Sequence, residues 1–264
     1  MIRLLRLFLL AAPLLMLGAM PFVAPAAHAD SIKVGLDDES YPPFFSKGPD
    51  GKWVGWEIDM IHAVCDQMKT DCTTKEIAWD GLIPALQQKQ IDMIWGSMTI
   101  NGERKKVIDF THFYYDSAIV MIGPKDDGTK VDCGNLETFK GKVIGAQAAT
   151  IYSSYLAHAP KSVQVKTYDT ADNLIADLAN GRIDYAQEAL STFAIFFSKN
   201  PDIEVKTTCP HTDILGFGVG GGVRKDDAAL RDRVSAAILA VAANGTWDKI
   251  TDRYPSIKGL LTKP

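Results

Sequence analysis

One thirteen-residue pattern occurs twice in this chain. Asp80-Gly-Leu-Ile-Pro-Ala-Leu-Gln-Gln-Lys-Gln-Ile-Asp92 returns 92 residues later as Asp172-Asn-Leu-Ile-Ala-Asp-Leu-Ala-Asn-Gly-Arg-Ile-Asp184. Both read D-x-L-I-x-x-L-x-x-x-x-I-D. Each opens on an aspartate of the type that caps helices. Each continues with apolar residues at helical spacing, then turns at a polar tetrad into a short apolar run, Ile91–Trp95 or Ile183–Ala186. A weaker echo pairs Ile32-Lys-Val-Gly35 with Lys142-Val-Ile-Gly145, apolar strands that enter small-residue loops. The unit strand–loop–helix–strand therefore stands near 32–95 and again near 142–186. Alternating strands and helices give parallel sheets. Two copies predict two similar α/β lobes, each a mostly parallel sheet flanked by helices.

The 264 residues are long enough for such a pair of cores. Of these residues 47% are hydrophobic and 23% charged, which excludes a disordered or fibrous chain. The formal net charge of −4 argues against a nucleic-acid partner, which needs a basic face. Residues 1–29 read as a cleaved secretory leader: Arg3 and Arg6 precede the apolar stretch Leu7–Met20, and Ala27-His28-Ala29 is a small-x-small cleavage site. The product is expected in the periplasm.

Four cysteines permit three disulfide connectivities. Cys65 and Cys72 lie at the end of an amphipathic stretch, Ile58–Lys69. Seven helical residues rise about 10 Å, whereas bridged Cα atoms lie within about 7 Å. If Cys65 and Cys72 pair, the helix must unwind before Cys72, at Thr70 and Asp71, and Cys133 and Cys209 remain for each other. No C-x-x-C occurs and His62, His112, His158 and His211 show no ligand spacing, so neither metal nor cofactor is expected. In the C-terminal third, Leu230, Val234, Ile238 and Val241 form a helical stripe. Gly245 is its expected stop, with a short helix from Thr246 beyond it.

In open parallel sheets ligands bind at the carboxyl ends of strands. Here those ends are the loops 37–41, 95–104, 146–151 and 187–191, two from each lobe, so the natural site is the cleft between lobes. Gly96-Ser97-Met98-Thr99 offers hydroxyls and backbone N–H groups, and the Arg104 guanidinium beside them suits a carboxylate. Thr150 is placed to open a helix whose N–H groups and hydroxyl face the same anion. Tyr41 and Trp79 supply flat aromatic walls. Asp38, Glu39 and Glu188 supply negative charge for a cation.

The chain resembles the family-3 solute-binding proteins, the polar amino-acid receptors of bacterial ABC importers, over nearly all of its length after the leader. Gly55-Trp-Glu-Ile-Asp-Met60 is similar to that family's G-F-D-x-D-L segment. The run Trp79–Leu86, Ile91-Asp92, Ser97–Ile100, Glu103-Arg104 and Val107–Phe110 matches its most specific stretch, and Gly218–Asp226 resembles its V-G-x-R-K-D element. The Cys65–Cys72 spacing resembles a disulfide of the lysine/arginine/ornithine and histidine branch. The resemblance implies the two-lobed, type II periplasmic-binding-protein fold. It implies a lobe 1 of residues 30–116 and 215–264 and a lobe 2 of residues 117–214, joined by hinge strands near Tyr115–Val120 and Thr212–Phe217. It also implies a monomer that shuts on its ligand and then presents both lobes to the membrane subunits of a permease.

By the same resemblance Arg104, Ser97 and Thr99 match the residues that hold the α-carboxylate, and Thr150 a hydroxyl from the second lobe. Tyr41 and Trp79 match the aromatics that sandwich the side chain, and Asp38 the acid that meets a distal cation. Two positions depart. Ile151 stands where a second hydroxyl is usual, and Ala189 where an aspartate usually binds the α-amino group, with Glu188 one place earlier. The ligand expected is a polar, cationic amino acid or derivative. The alternatives are a lyase on the same fold, resembling the cyclohexadienyl dehydratase group with Glu188 as acid, and a ligand sensor without transport.

Overall fold

The computed structural model describes residues 31–264. The expected leader, residues 1–29, lies outside the described residues. In chain order the elements of the first part are β1 (Ile32–Asp37), β2 (Ser46–Lys47), β3 (Trp53–Val54), α1 (Trp56–Met68), β4 (Cys72–Ile77), α2 (Leu82–Gln87), β5 (Met93–Ile94), α3 (Gly102–Val107) and β6 (Asp109–Ser117). The second part holds β7 (Ile119–Pro124), β8 (Val143–Gln147), α4 (Ile151–Leu156), β9 (Gln164–Tyr168), α5 (Ala171–Ala179), β10 (Tyr185–Ala189), α6 (Leu190–Lys199) and β11 (Ile203–Thr208). The chain then closes with β12 (Val219–Val223), α7 (Ala228–Ala243), α8 (Thr246–Thr251) and β13 (Leu261–Thr262).

These strands form two main sheets, ordered β13-β6-β12-β5-β1-β4 and β11-β7-β10-β8-β9. The repeat seen in the sequence is the repeat of the fold. β1 runs parallel to β4 and β5, and β8 runs parallel to β9 and β10. Each trio is extended by an antiparallel strand that has just arrived from the other lobe, β12 beside β5 and β7 beside β10. The last aspartate of each motif has the same task. Asp92 accepts the Lys33 N–H at 3.0 Å and Asp184 accepts the Val143 N–H at 2.7 Å, so each carboxylate ties the turn after its helix to the start of the first strand.

The motif's apolar positions also coincide. Leu82 and Ile91 pack over Gly35, and Leu174 and Ile183 pack over Gly145. A Cβ on Gly35 would stand 2.3 Å from Ile91 Cδ1, and one on Gly145 2.5 Å from Leu174 Cδ1 and 2.6 Å from Ile183 Cδ1. Both glycines are therefore fixed by close approach, not by turn geometry. Apolar layers cover both faces of each sheet, as parallel strands require. In lobe 1, Trp56, Met60, Val64, Val234, Ile238 and Trp247 cover one face and Leu82, Leu86, Ile94 and Ile108 the other. Burying each such side chain stabilises the fold by about 1.5–3 kcal/mol.

Three details differ from the expectation. Each sheet is mixed and not mostly parallel, because the chain crosses between lobes and its returning strands join the edge antiparallel: two of the five strand pairings in the first sheet and two of the four in the second are parallel. Asp80 and Asp172 are not caps. Asp80 sits in a 3₁₀ turn ahead of α2, and the α5 cap is the Thr170 hydroxyl, which accepts the Asn173 N–H. Both acids instead lie in the first turn of their helical segments, where the helix dipole favours them. The crossings are also unlike each other. β6 passes to β7 through Ala118 alone, whereas residues 209–218 return between β11 and β12 as an irregular segment of turns, so the strand expected near Thr212–Phe217 is absent. Gly216 and Gly218 there have φ of 69° and 74°, incompatible with continued extension.

The cysteines pair as Cys65–Cys72 and Cys133–Cys209, with Cα atoms 6.2 and 4.9 Å apart. α1 does end before Cys72: Lys69 turns left-handed at φ 53°, and Cys72 opens β4. At the C-terminus α7 stops at the predicted place, followed by Gly245 at φ 79°. None of the described helices is long and apolar enough to cross a membrane.

Candidate functional site

β1, β5, β8 and β10 all point their carboxyl ends at the space between the lobes. A cavity of about 420 Å³ lies there, lined by Asp37, Tyr41, Phe45, Trp79, Gly96, Ser97, Thr99, Arg104, Gln147, Thr150, Ile151, Tyr152 and Glu188. All four expected loops contribute to it. The structure gathers every expected ligand residue here except Asp38 and Glu39, which line a neighbouring chamber. Asp37 takes the place of Asp38. It is the last residue of β1, in register with Ile77 of β4, and side chains alternate across a strand, so consecutive acids face different ways.

Arg104 is carried on α3, whose cap is the Asn101 side chain accepting the Arg104 N–H at 2.9 Å. Its guanidinium donates to the Thr99 carbonyl at 2.9 Å and lies 5.4 Å from the centre of the Trp79 ring. Burial lowers its pKa to about 10, which leaves it cationic at neutral pH. Ser97 is held by a buried network absent from the expectation. The Glu57 carboxylate, in the first turn of α1, accepts the Ser97 N–H at 2.8 Å, the Ser97 hydroxyl at 3.0 Å and the Tyr114 hydroxyl at 2.7 Å. Tyr115 donates to Ser97 Oγ at 2.9 Å. Ser97 has φ 56°, an unusual conformation that these bonds pin in place. Burial raises the Glu57 pKa to about 7, against the opposing effect of its donors.

From lobe 2, Thr150 caps α4 by accepting the Ser153 N–H and donates its own proton to the Gln147 carbonyl at 2.7 Å. Glu188 is 3% exposed. Its Oε1 accepts the Tyr41 hydroxyl at 3.2 Å and the Ala189 N–H at 2.8 Å. Burial raises its pKa to about 7, only partly countered by these donors and by Tyr152. Asp37 is raised to about 7 by burial, opposed by the Glu39 N–H and reinforced by the charges of Asp38 and Glu39. Tyr41 bonds to Glu188 and Thr192 across the cleft, and the Trp79 indole N–H donates to the Ala149 carbonyl at 3.1 Å. The cleft is therefore shut.

The sequence reading missed Asp37, Glu57, Phe45, Gln147 and Tyr152. Asp37 was legible as the strand's end, had the pairing of β1 been known. Glu57 had one signal, an acid between the apolar Trp56 and Ile58 in a helix start. Gln147 and Tyr152 line the cavity because β8 and α4 deliver them, which no local pattern marks.

The profile of the family described as bacterial extracellular solute-binding proteins, family 3, matches residues 32–256. The chain is 35% identical over 239 residues to ABC transporter arginine-binding protein 1 of Escherichia coli K12, covering 88% of this chain and 94% of that one. It is 33% identical over 237 residues to the histidine-binding periplasmic protein of the same strain, covering 87% and 89%. Among solved structures, an ancestral arginine-binding protein bound to arginine superimposes with a TM-score of 0.76 at 28% identity, covering 86% of this chain and 99% of that one. A Salmonella typhimurium periplasmic binding protein of high arginine specificity gives 0.74 at 27% identity, with coverage of 84% and 98%. The chain belongs to family 3 of the bacterial extracellular solute-binding proteins.

Proposed function

We propose that this chain is the periplasmic receptor of an ABC importer for a basic amino acid or a close derivative, and that it binds its ligand without transforming it. The observation that carries the reading is the charge inside one cavity. Arg104 is available for a carboxylate. Asp37 and Glu188 are buried carboxyls, and among the described residues neither is paired with a cationic side chain. A buried acid without a cation is costly, and a ligand that brings one relieves the cost. A ligand with a carboxylate for Arg104, an α-ammonium for Glu188, a distal cation for Asp37 and an aliphatic stem between Tyr41, Phe45 and Trp79 satisfies all three groups. The E. coli and Salmonella relatives named for arginine and histidine support the same class.

In this reading the lobes are residues 30–116 with 215–264, and residues 117–214. The ligand touches both only when the cleft is shut, so it shifts the open–closed equilibrium by its differential affinity. The shut monomer then docks on the membrane subunits of a permease. Micromolar affinity corresponds to about −8 kcal/mol.

Calorimetric titration with L-arginine, L-lysine, L-histidine and L-glutamate tests this. A basic amino acid binds at micromolar levels or tighter, and Arg104→Ala weakens it by about a hundredfold, as loss of a desolvated charge partner does. A preference for glutamate, or unchanged capture by Arg104→Ala, overturns the reading.

A further inference from the structure

The ligand cavity does not end at Asp37. A second chamber of about 590 Å³ adjoins it, lined by Asp37, Asp38, Glu39, Ala78, Trp79, Asp80, Gln147, Ala148, Ala149 and Asp169. The two share Asp37, Trp79 and Gln147. Asp37 and Gln147 are each 8% exposed, so the junction is built from buried polar side chains, and Asp37 has no cationic partner among the described residues. Arg104 lines the first cavity and a surface groove with Thr150 and Ile151, but not the chamber. Asp37 is thus a gatepost and not an end wall.

The chamber's charge is one-sided. Asp38, Glu39 and Asp80 approach from lobe 1 and Asp169 from lobe 2, with no lysine, arginine or histidine in the lining. The acids oppose each other across the cleft. Glu39 is raised by its partial burial, by Asp38 and by Asp172 and Asp169 of the other lobe. Closing the lobes gathers like charges, and a cation lodged among them removes that repulsion.

We infer that the site takes basic amino acids whose distal nitrogen carries a further alkyl group while keeping its positive charge, such as N-alkylated guanidines or ε-ammonium groups. The inference rests on the ligand class and orientation proposed above. The carboxylate sits at Arg104, the stem passes Trp79, the cation meets Asp37, and the substituent enters the acidic chamber. Trp79, which lines both spaces, supplies an aromatic wall of the kind alkylated cations favour. A neutral acyl group at the same nitrogen discards the charge and leaves the acids unrelieved.

Calorimetry on the full mature protein compares L-arginine with Nω-methyl-L-arginine, and L-lysine with Nε-trimethyl-L-lysine and Nε-acetyl-L-lysine. The alkylated cations are expected to bind within about tenfold of their parents, whereas a closed pocket penalises one extra methyl by ~10–200-fold. The acetylated lysine is expected to be at least about a hundredfold weaker, as for a buried charge left unpaired. Ala148→Leu, which narrows the chamber outside the first cavity, should weaken the alkylated ligands and leave the parents unchanged, with an unaltered melting temperature as the folding control. Loss of the alkylated ligands by about a hundredfold while a parent still binds overturns the inference. Equal effects of Ala148→Leu on parent and derivative overturn it as well. Failure of every basic amino acid to bind removes the proposed function itself, and is distinguished by the parent titrations.

Discussion

The hydroxyl of Tyr41 donates to the Glu188 carboxylate at 3.2 Å, joining a loop of one lobe to the end of a strand in the other. The same hydroxyl pairs with Thr192 Oγ1. Glu188 is thereby coupled to the state of the cleft, because only closure brings these partners together. Tyr41→Phe keeps the ring and its packing on Phe44 and Phe45 but deletes the bonds. A cost of about 1–2 kcal/mol in the shut state follows. The affinity for the basic ligand should fall roughly 5–30-fold, the factor that this cost implies. The melting temperature of the free protein should barely change, which separates a latch from a core contact.

Asp37 gives ligand capture a pH dependence. Its pKa is raised to about 7, chiefly by burial, and a ligand cation binds the ionised form. Affinity should therefore level off above about pH 7 and fall below it, by up to about tenfold per pH unit. Glu188, raised to about 7 in the same cavity, adds its own limb, so Asp37→Asn should make the profile shallower and weaken the preference for cations. Titrations at pH 5.5, 6.5 and 8 in buffers of differing ionisation enthalpy measure both.

Glu57 makes a separate contribution to stability. Its pKa rises from 4.5 unfolded to about 7 folded, so the native state keeps a proton that the unfolded chain has released. That stabilisation is complete below about pH 4.5 and is lost as pH climbs to about 7, for a total of about 3 kcal/mol. Glu57→Gln should reduce the difference in urea stability between pH 5 and pH 8 by that order. Glu57→Ala should destabilise by about 3 kcal/mol at pH 5, because the Ser97 and Tyr114 donors lose their acceptor.

The paired glycines are expected to behave alike. In Gly35→Ala the new methyl meets Ile91, and in Gly145→Ala it meets Leu174 and Ile183. Each overpacks its lobe, at a cost of about 1–3 kcal/mol by chemical denaturation. An unchanged midpoint for either would show that these side chains can move aside.

The two disulfides should differ. Cys133 and Cys209 are 76 positions apart and Cys65 and Cys72 only 7. In the loop-entropy account the long loop is worth about 4.5 kcal/mol and the short one about 2.4. Serine pairs at each bridge, compared by thermal unfolding, should rank in that order.

The doubled motif was readable because each of its positions has a repeated physical task. Leu82 with Leu174 and Ile91 with Ile183 cover a strand glycine, and Asp92 with Asp184 tie the turn. Loops at strand ends were equally legible, so the cavity's location followed from topology. What local pattern could not supply was which of two adjacent acids turns inward. Asp37 and Asp38 are chemically alike, and only the pairing of β1 with β4 separates them. Glu57 acts on Ser97 from 40 positions away, and such a contact has no local signature. The aspartates do not cap because each helical segment starts earlier than the motif: Thr170 caps α5 two residues before Asp172, and a 3₁₀ turn already contains Asp80. The return crossing was misjudged because its φ > 0 glycines outweigh the β-prone residues around them.

The unequal ancestry of the two sheets has a consequence for assembly. Every strand of the β7–β11 sheet lies in one unbroken stretch of chain, so this half can condense as soon as residue 208 is free. The first sheet cannot. Until Val219–Val223 comes back, β5 lacks its outer neighbour and β6 pairs with nothing, since its partners are β12 and β13. The amino-terminal half, although made first, is completed last, and its naked edge must be kept from strangers in the interval.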